Sequence, residues 1–168
     1  MSRWFSRGLL QALALAMSAP VPAAVEVAFI QPQNFHDAST RFASVAGRDR
    51  VMTMLAQHFA QLGVRYLEPT QHLTLDILDV DLAGRCEPGP GSILDIRVLR
   101  SITWPRIRLR YTLRRDDQVV DTAVETISDR NYLEHGDGYF DGDPLHYEKA
   151  MLTRWFRGRF GAGYAGRQ

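Results

Sequence analysis

Alternating apolar and polar residues predict two strands in the first half of the chain. The segment from Val25 to Ile30 carries an apolar side chain at every second position on one face, which is typical of a half-buried strand. The segment from Leu73 to Leu82 alternates in the same way, but its apolar positions slip by one residue midway. A one-residue slip turns every later side chain to the other face of a sheet, so we expect a β-bulge near Ile77 and Leu78.

Helical spacing of apolar residues marks two further segments. The first stripe consists of Val51, Leu55, Phe59 and Leu62. Gly63 follows it, in the position where chains commonly leave a helix, and we expect the helix to close there. A second helix is predicted from Pro144 to about Arg157, with Asp143 as its N-cap and Pro144 as its first residue. Its apolar stripe consists of Leu145, Leu152 and Phe156, with Met151 and Trp155 beside it.

The segments between the two helices predict the rest of a sheet. A loop rich in glycine and proline, Gly84 to Ser92, precedes a predicted strand from Ile93 to Ile102. A hairpin follows, with a turn at Arg115 to Gln118. Together these elements predict an α+β fold: a mixed or antiparallel sheet of about four to five strands with two helices packed on one face.

The hairpin has one apolar face and one charged face. Ile107, Leu109, Tyr111 and Leu113 alternate with the arginines Arg106, Arg108 and Arg110. If Leu113 faces Val120 on the returning strand, Arg108 faces Glu125 and Arg106 faces Ile127, and Asp121 lies diagonally within reach of Arg110. This register leaves Arg106 as the arginine without a charged partner.

The N-terminal segment has the pattern of a secretory signal peptide. Arg3 and Arg7 precede an uncharged, mainly apolar run from Gly8 to Met17, which is about half of the roughly 20 residues that a membrane-spanning helix needs. Prolines and small residues follow, and Val21 and Ala23 suit cleavage before Ala24, with cleavage after Ala24 as the neighbouring alternative. We therefore expect residues 1–24 to be a signal peptide and the mature protein to be periplasmic or secreted, without a permanent membrane span.

The length and composition of the chain after residue 24 are typical of a single globular domain. Removing the first 24 residues takes away two arginines and no acid, so the formal net charge changes from +1 to −1. That balance gives no sign of a nucleic-acid-binding domain. Cys86 is the single cysteine, which excludes a disulfide within the chain. We expect residues 25–160 to form one domain and residues 161–168 to be a frayed tail.

Common catalytic motifs are absent: the chain has no phosphate-binding loop, dinucleotide glycine motif, nucleophile elbow or paired-histidine zinc helix. A weak acidic cluster comprises Asp79, Asp81 and Glu87, near the end of the bulged strand. Clustered carboxylates can bind a cation or perform acid and base chemistry. The simpler interpretation, which we favour, is a solvated strand end with Arg85 as the local counter-charge.

Gly136 to Glu148 partly matches a calcium-binding loop. If Asp137 takes the first position, Asp141 takes the fifth, Gly142 the sixth and Glu148 the twelfth, with Asp143 between them. Tyr139 replaces the third ligand and Pro144 stiffens the chain where the loop must wrap. The residues are better explained by a turn followed by a helix cap, so we expect no metal and no cofactor.

Several blocks of the chain together resemble a known family. They are Asp79-Val80-Asp81-Leu82-Ala83-Gly84, Asp95-Ile96-Arg97-Val98, Trp104-Pro105-Arg106, Ser128-Asp129-Arg130-Asn131-Tyr132-Leu133 and Asp143-Pro144-Leu145-His146-Tyr147-Glu148-Lys149. In identity and order they resemble the exported proteobacterial family of the domain of unknown function numbered 3016. The resemblance covers nearly the whole mature chain and implies export and a single domain, but it implies no activity or catalytic residue.

Two functions are compatible with these patterns. The first is a non-catalytic periplasmic binding or envelope accessory module, whose partner is another component of the cell envelope, such as a protein. Arg106 and Trp104 are its candidate contact residues, since arginine pairs with carboxylate or phosphate. Pro105 marks a strand break or edge, and we expect Trp104 beside it to fold onto the core; an exposed Trp104 would instead be a contact residue. The alternative is a periplasmic hydrolase that uses Asp79, Asp81 and Glu87, with His135 or His146.

Overall fold

The computed structural model describes residues 24–39, 44–88, 95–116, 118–135 and 142–161. Its elements, in chain order, are β1 (Ala24–Phe29), α1 (Val45–Tyr66), β2 (Gln71–Asp81), β3 (Arg85–Pro88), β4 (Asp95–Val98), β5 (Arg106–Arg115), β6 (Gln118–Ser128) and α2 (His146–Phe160). A single 3-10 turn, Pro32–Asn34, follows β1. Within these ranges no helix combines the length and the apolar character needed to cross a bilayer.

Four strands form one mixed sheet in the order β1-β2-β5-β6, and β3 pairs with β4 in a separate ribbon. β1 lies parallel to β2 because α1 carries the chain back between them, whereas the other neighbours are antiparallel. One core cluster joins the inward side chains of the sheet to residues of both helices. The predicted α+β fold, with two helices on one face of a mixed sheet, is confirmed.

The predicted stripe of α1 forms the centre of the core. Val51, Leu55, Phe59 and Leu62 are all buried. Ser44 caps the helix, its side chain accepting a hydrogen bond from the Gly47 N–H at 3.2 Å. The predicted end of the helix at Gly63 is wrong, because the helix continues to Tyr66. A Cβ on Gly63 would lie 2.3 Å from Val25 Cγ2, so this glycine lets the helix approach β1 closely.

The predicted bulge in β2 is confirmed. The pairing of β2 with β5 shifts between Ile77 and Asp79. The extra residue returns Val80 and Leu82 to the core side, and both are fully buried. The slip in the hydrophobic pattern therefore records a real irregularity of the sheet.

Two predictions between β2 and β5 are wrong. The predicted strand from Ile93 to Ile102 is a strand only at Asp95–Val98, and part of the predicted loop, Arg85–Pro88, forms its partner β3. The chain turns back at Arg100, whose carbonyl accepts a hydrogen bond from the Thr103 N–H at 2.9 Å, so no strand extends to Ile102. The short ribbon replaces one long strand.

The predicted hairpin register is wrong by one residue. Arg108 lies opposite Thr126 rather than Glu125, and Arg106 lies opposite Ser128 rather than Ile127. The cause is an irregularity between Leu113 and Arg114, beside a turn in which Asp116 adopts a φ of 52°. As a result Asp121 and Glu125 face the helices instead of the solvent: Tyr111 donates to Asp121 at 2.8 Å, and Trp155 donates to Glu125 at 2.7 Å.

The second helix begins later and ends later than predicted, at His146 and Phe160. The Asp143 carboxylate accepts a hydrogen bond from the Leu145 N–H at 2.9 Å, so Asp143 closes a turn ahead of the helix instead of capping it directly. The stripe of Leu145, Leu152 and Phe156 is fully buried, as predicted. The predicted frayed tail lies almost wholly outside the described residues.

Gly84→Ala is expected to destabilise the fold by about 2 kcal/mol or more, because the substitution combines two costs. Gly84 has a φ of +77°, and an added Cβ would lie 2.5 Å from the Val98 carbonyl oxygen. Gly142→Ala is the matched control, since Gly142 has a φ of +80° but nothing within 4 Å of the added Cβ. Urea unfolding should therefore show a clearly smaller loss for Gly142→Ala. Equal losses would mean that the ribbon moves away from residue 84 without cost.

Candidate functional site

The ends of the hairpin strands bring a tryptophan and three arginines together. Trp104 lies just before β5, and two guanidinium groups lie over its ring. The distance to the ring centroid is 5.8 Å for Arg106 Cζ and 5.2 Å for Arg130 Cζ. Trp104 remains partly exposed and lies outside the core cluster, so the expectation that it folds onto the core is wrong. Arg108 points to the same solvent side of β5 as Arg106. We name Trp104, Arg106, Arg108 and Arg130 the basic patch.

Arg106 is not the unpaired arginine that the predicted register suggested. Its Nε donates to Asp81 at 3.1 Å, and Arg85 donates to the other oxygen of the same carboxylate at 2.9 Å. Asp81 is only 2% exposed, so these guanidinium groups provide its charge compensation. The predicted counter-charge role of Arg85 is thereby confirmed, but the expectation of a solvated strand end is wrong for Asp81, which is buried.

Arg110, Arg108 and Arg130 differ from Arg106 in their partners. Arg110, further along β5, pairs with Asp76 of β2 at 3.2 Å rather than with Asp121. Arg108 and Arg130 are exposed, and in the part of the chain that the structure describes neither makes an ion pair. These two guanidinium groups are the ones available to an anion.

Arg106→Ala is expected to lower the free energy of unfolding by about 1–2 kcal/mol, because Asp81 loses one of its two charged hydrogen-bond donors while remaining buried. Arg110→Ala provides a matched control on the same face. Its partner Asp76 is more exposed and can be hydrated, so the loss should be within about 0.5 kcal/mol. Chemical denaturation measures both, and similar losses would contradict a special role of the Arg106–Asp81 pair.

The structure does not bring the acidic cluster together. The Asp79 carboxylate accepts a hydrogen bond from the His36 N–H at 2.9 Å, whereas Asp81 binds Arg85 and Arg106. Glu87 lies on β3 and forms a two-point pair with Arg100, which lowers the pKa of Glu87. Each carboxylate therefore serves a separate contact.

The two histidines of the hydrolase hypothesis line a small surface cleft, together with a carboxylate that the sequence did not indicate. Asp129, nearly buried at the end of β6, accepts hydrogen bonds from His135 Nδ1 at 3.0 Å and from the Asn131 N–H at 3.1 Å. Arg154 of α2 binds the same carboxylate. The cleft is lined by Asp129, Tyr132, His135, His146, Tyr147, Ala150 and Arg154. A carboxylate on Nδ1 orients the imidazole of His135 and leaves Nε2 as the atom for proton transfer.

The calcium-loop residues occupy unrelated positions where they are described. Asp137 and Asp141 lie outside the described residues. Asp143 binds Lys149 and the Leu145 N–H, whereas Glu148 points into the protein interior. Among the residues that the structure describes, no three histidine, cysteine or acidic side chains are arranged to hold a metal ion.

Glu148 is a buried acid, and its burial was not predicted from the sequence. It is 2% exposed, and its Oε1 accepts a hydrogen bond from the Ala83 N–H at 2.7 Å. Burial raises the pKa of Glu148 to about 7, against the opposing effects of hydrogen bonding and of Arg97. Arg97 in turn donates to the carbonyl oxygens of Ala83 at 2.9 Å and Ser39 at 2.6 Å. This network ties α2 to the end of β2.

Comparison with known proteins identifies the family. Residues 23–158 match the family model described as "Protein of unknown function (DUF3016)". The chain belongs to the DUF3016 family. The DUF3016 match runs from the start of β1 into the last turn of α2, so it includes both the basic patch and the cleft. No significant match was found among curated proteins or among solved structures.

Proposed function

We propose that this DUF3016 protein is an exported, non-catalytic binding module of the cell envelope, which contacts an anionic envelope component through the basic patch. The observation that carries the proposal is a pair of exposed arginines, Arg108 and Arg130, which make no ion pair with any described residue and lie beside the partly exposed Trp104. Guanidinium groups bind carboxylate and phosphate groups by paired hydrogen bonds, and the tryptophan adds apolar contact area.

The patch is held in place before any partner binds. Arg106 stacks on Trp104 and is anchored on the buried Asp81, and the Asp129 N–H donates to the Pro105 carbonyl oxygen at 3.3 Å. These contacts fix the start of β5 against the end of β6. A preorganised surface loses less conformational entropy on binding, which favours a recognition role.

Export is part of the proposal and has its own test. We expect protein recovered from the periplasm to begin at Ala24 or Val25, and intact-mass measurement tests this expectation. β1 begins at Ala24, so cleavage at either site removes at most one residue of the paired strand. A periplasmic protein that retains Met1 would contradict the proposed processing.

The binding role is tested by retention on isolated cell envelopes at increasing salt concentration. We expect the double variant Arg108→Gln/Arg130→Gln to be retained about tenfold less at low salt, since each exposed contact contributes on the order of 0.7 kcal/mol. Arg50→Gln is the control, because Arg50 is an exposed arginine on α1. Retention that is unaffected by salt and by the double variant would overturn the proposal, as would an equal loss for Arg50→Gln.

The alternative, a periplasmic hydrolase, is favoured by one observation, the hydrogen bond of His135 to Asp129 in a cleft that also contains His146. In this scheme His135 Nε2 takes a proton from water as the oxygen attacks an ester, and returns it to the leaving alcohol. Hydrolysis of p-nitrophenyl acetate and p-nitrophenyl phosphate tests the scheme. Turnover that disappears in His135→Gln would support it, and background turnover in the wild-type protein would contradict it for these substrates.

A further inference from the structure

Two exposed turns lie side by side next to the basic patch. In the first turn the Thr103 N–H donates to the Arg100 carbonyl oxygen at 2.9 Å. In the second turn the Glu134 N–H donates to the Asn131 carbonyl oxygen at 2.8 Å. The Tyr132 hydroxyl joins them, because it donates to the Arg100 carbonyl oxygen at 2.9 Å. The two turns therefore form one continuous part of the surface.

Each turn exposes a large aliphatic side chain. Ile102 is 75% exposed and Leu133 is 46% exposed. Other large aliphatic residues are exposed as well, among them Val119, Val120 and Val124 of β6, but Ile102 and Leu133 lie on the two turns beside the basic patch. Arg130, on the second turn, lies over the ring of Trp104, which directly follows the first turn. Exposed aliphatic residues are thus combined here with a tryptophan and with two arginines that make no ion pair within the described ranges.

We propose that the two turns and the basic patch form a docking surface for a bilayer that contains anionic phospholipid. This inference rests on the proposed function and names the anionic component. Ile102 and Leu133 enter the boundary between headgroups and acyl chains, Trp104 lies at headgroup level, and Arg108 and Arg130 bind lipid phosphates.

Charge and composition favour a lipid surface over an acidic protein segment. An acidic segment would pair with the arginines but would leave Ile102 and Leu133 in water, whereas a lipid interface receives both kinds of side chain. Glu134, exposed on the second turn, opposes the attraction. The formal net charge of the mature chain is close to zero, so attraction to anionic lipid depends on this local arrangement rather than on the whole domain.

Rigid attachment of the second turn supports its role in docking. The Asp129 carboxylate holds the N–H of Asn131 and the ring of His135, and Arg154 fixes the same carboxylate from α2. The turn therefore presents Leu133 and Arg130 on a fixed frame. Little additional ordering is needed when the surface meets a membrane.

Co-sedimentation of the mature protein with vesicles tests the inference. One set of vesicles consists of phosphatidylcholine alone and the other of phosphatidylcholine mixed with phosphatidylglycerol. We expect salt-sensitive binding to the mixed vesicles only, a loss of about tenfold or more in Arg108→Gln/Arg130→Gln, and a similar loss in Ile102→Ser/Leu133→Ser. Val64→Ser is the control, because Val64 is an exposed aliphatic residue of α1, 82% exposed.

The outcomes separate this inference from the proposed function. Absence of vesicle binding, with retention on cell envelopes that still depends on Arg108 and Arg130, would overturn the lipid inference and leave an acidic protein segment as the partner. Vesicle binding that Ile102→Ser/Leu133→Ser does not weaken would also overturn it. If retention of the wild-type protein on cell envelopes does not depend on Arg108 and Arg130, the proposed function itself is overturned.

Discussion

Phe59→Ala is expected to lower the free energy of unfolding by about 3–5 kcal/mol. Phe59 is fully buried at the centre of the α1 stripe, and the core contains residues of both helices and of the sheet around it. Truncation removes the transfer free energy of the ring and leaves a cavity that the surrounding strands and helices cannot fill completely. Urea denaturation monitored by circular dichroism measures the loss.

The control for this prediction lies on the same helix. Val64 faces solvent, so Val64→Ala should change stability by no more than about 0.5 kcal/mol. A loss below about 1 kcal/mol for Phe59→Ala, or equal losses for the two variants, would mean that α1 does not pack on the sheet by this stripe.

The stability of the wild-type protein is expected to fall between about pH 4.5 and pH 7 because of Glu148. The pKa of this buried carboxyl is raised to about 7 in the folded protein, from 4.5 in the unfolded chain. In that interval the folded state holds a proton that the unfolded state has lost, so the contribution is complete below pH 4.5 and is lost as the pH rises through 7. A difference of this size corresponds to about 3 kcal/mol.

Glu148→Gln isolates the contribution of Glu148. The amide oxygen of glutamine still accepts the hydrogen bond from the Ala83 N–H but does not titrate. Burial lowers the pKa of His58, which produces a slope of opposite sign, but that slope is common to both proteins and cancels in the comparison. We expect the wild-type stability curve to descend relative to that of Glu148→Gln by about 3 kcal/mol, and parallel curves would contradict the buried, protonated state of Glu148.

The hydrophobic pattern predicted those parts of the fold that depend on local periodicity. The stripe through Phe59 and the slip after Ile77 are both present, because helix faces and strand faces are set by fixed periods. The hairpin register was not predictable in this way. It depends on an irregularity between Leu113 and Arg114 and on a left-handed Asp116, a conformation that the residue type permits but does not require.

The candidate site was predictable only in part, for a related reason. Trp104 and Arg106 are two residues apart in sequence, but Arg130 reaches the same place only because β5 and β6 pair antiparallel. Glu148 did have a signal, since it follows Leu145 by three residues and precedes Leu152 by four, which places it on the buried face of α2. An acidic residue at helical spacing within an apolar stripe is therefore predicted to be buried.

Site-specific photocrosslinking in intact cells tests most directly the proposal that this protein contacts the cell envelope through the basic patch. A photoreactive amino acid at Ile102, beside the patch, is compared with one at Val64, an exposed position on α1. We expect envelope adducts from position 102, identified by mass spectrometry, which disappear when Arg108→Gln and Arg130→Gln are added. Equal adducts from position 64, or adducts from position 102 that persist in the double variant, would contradict it.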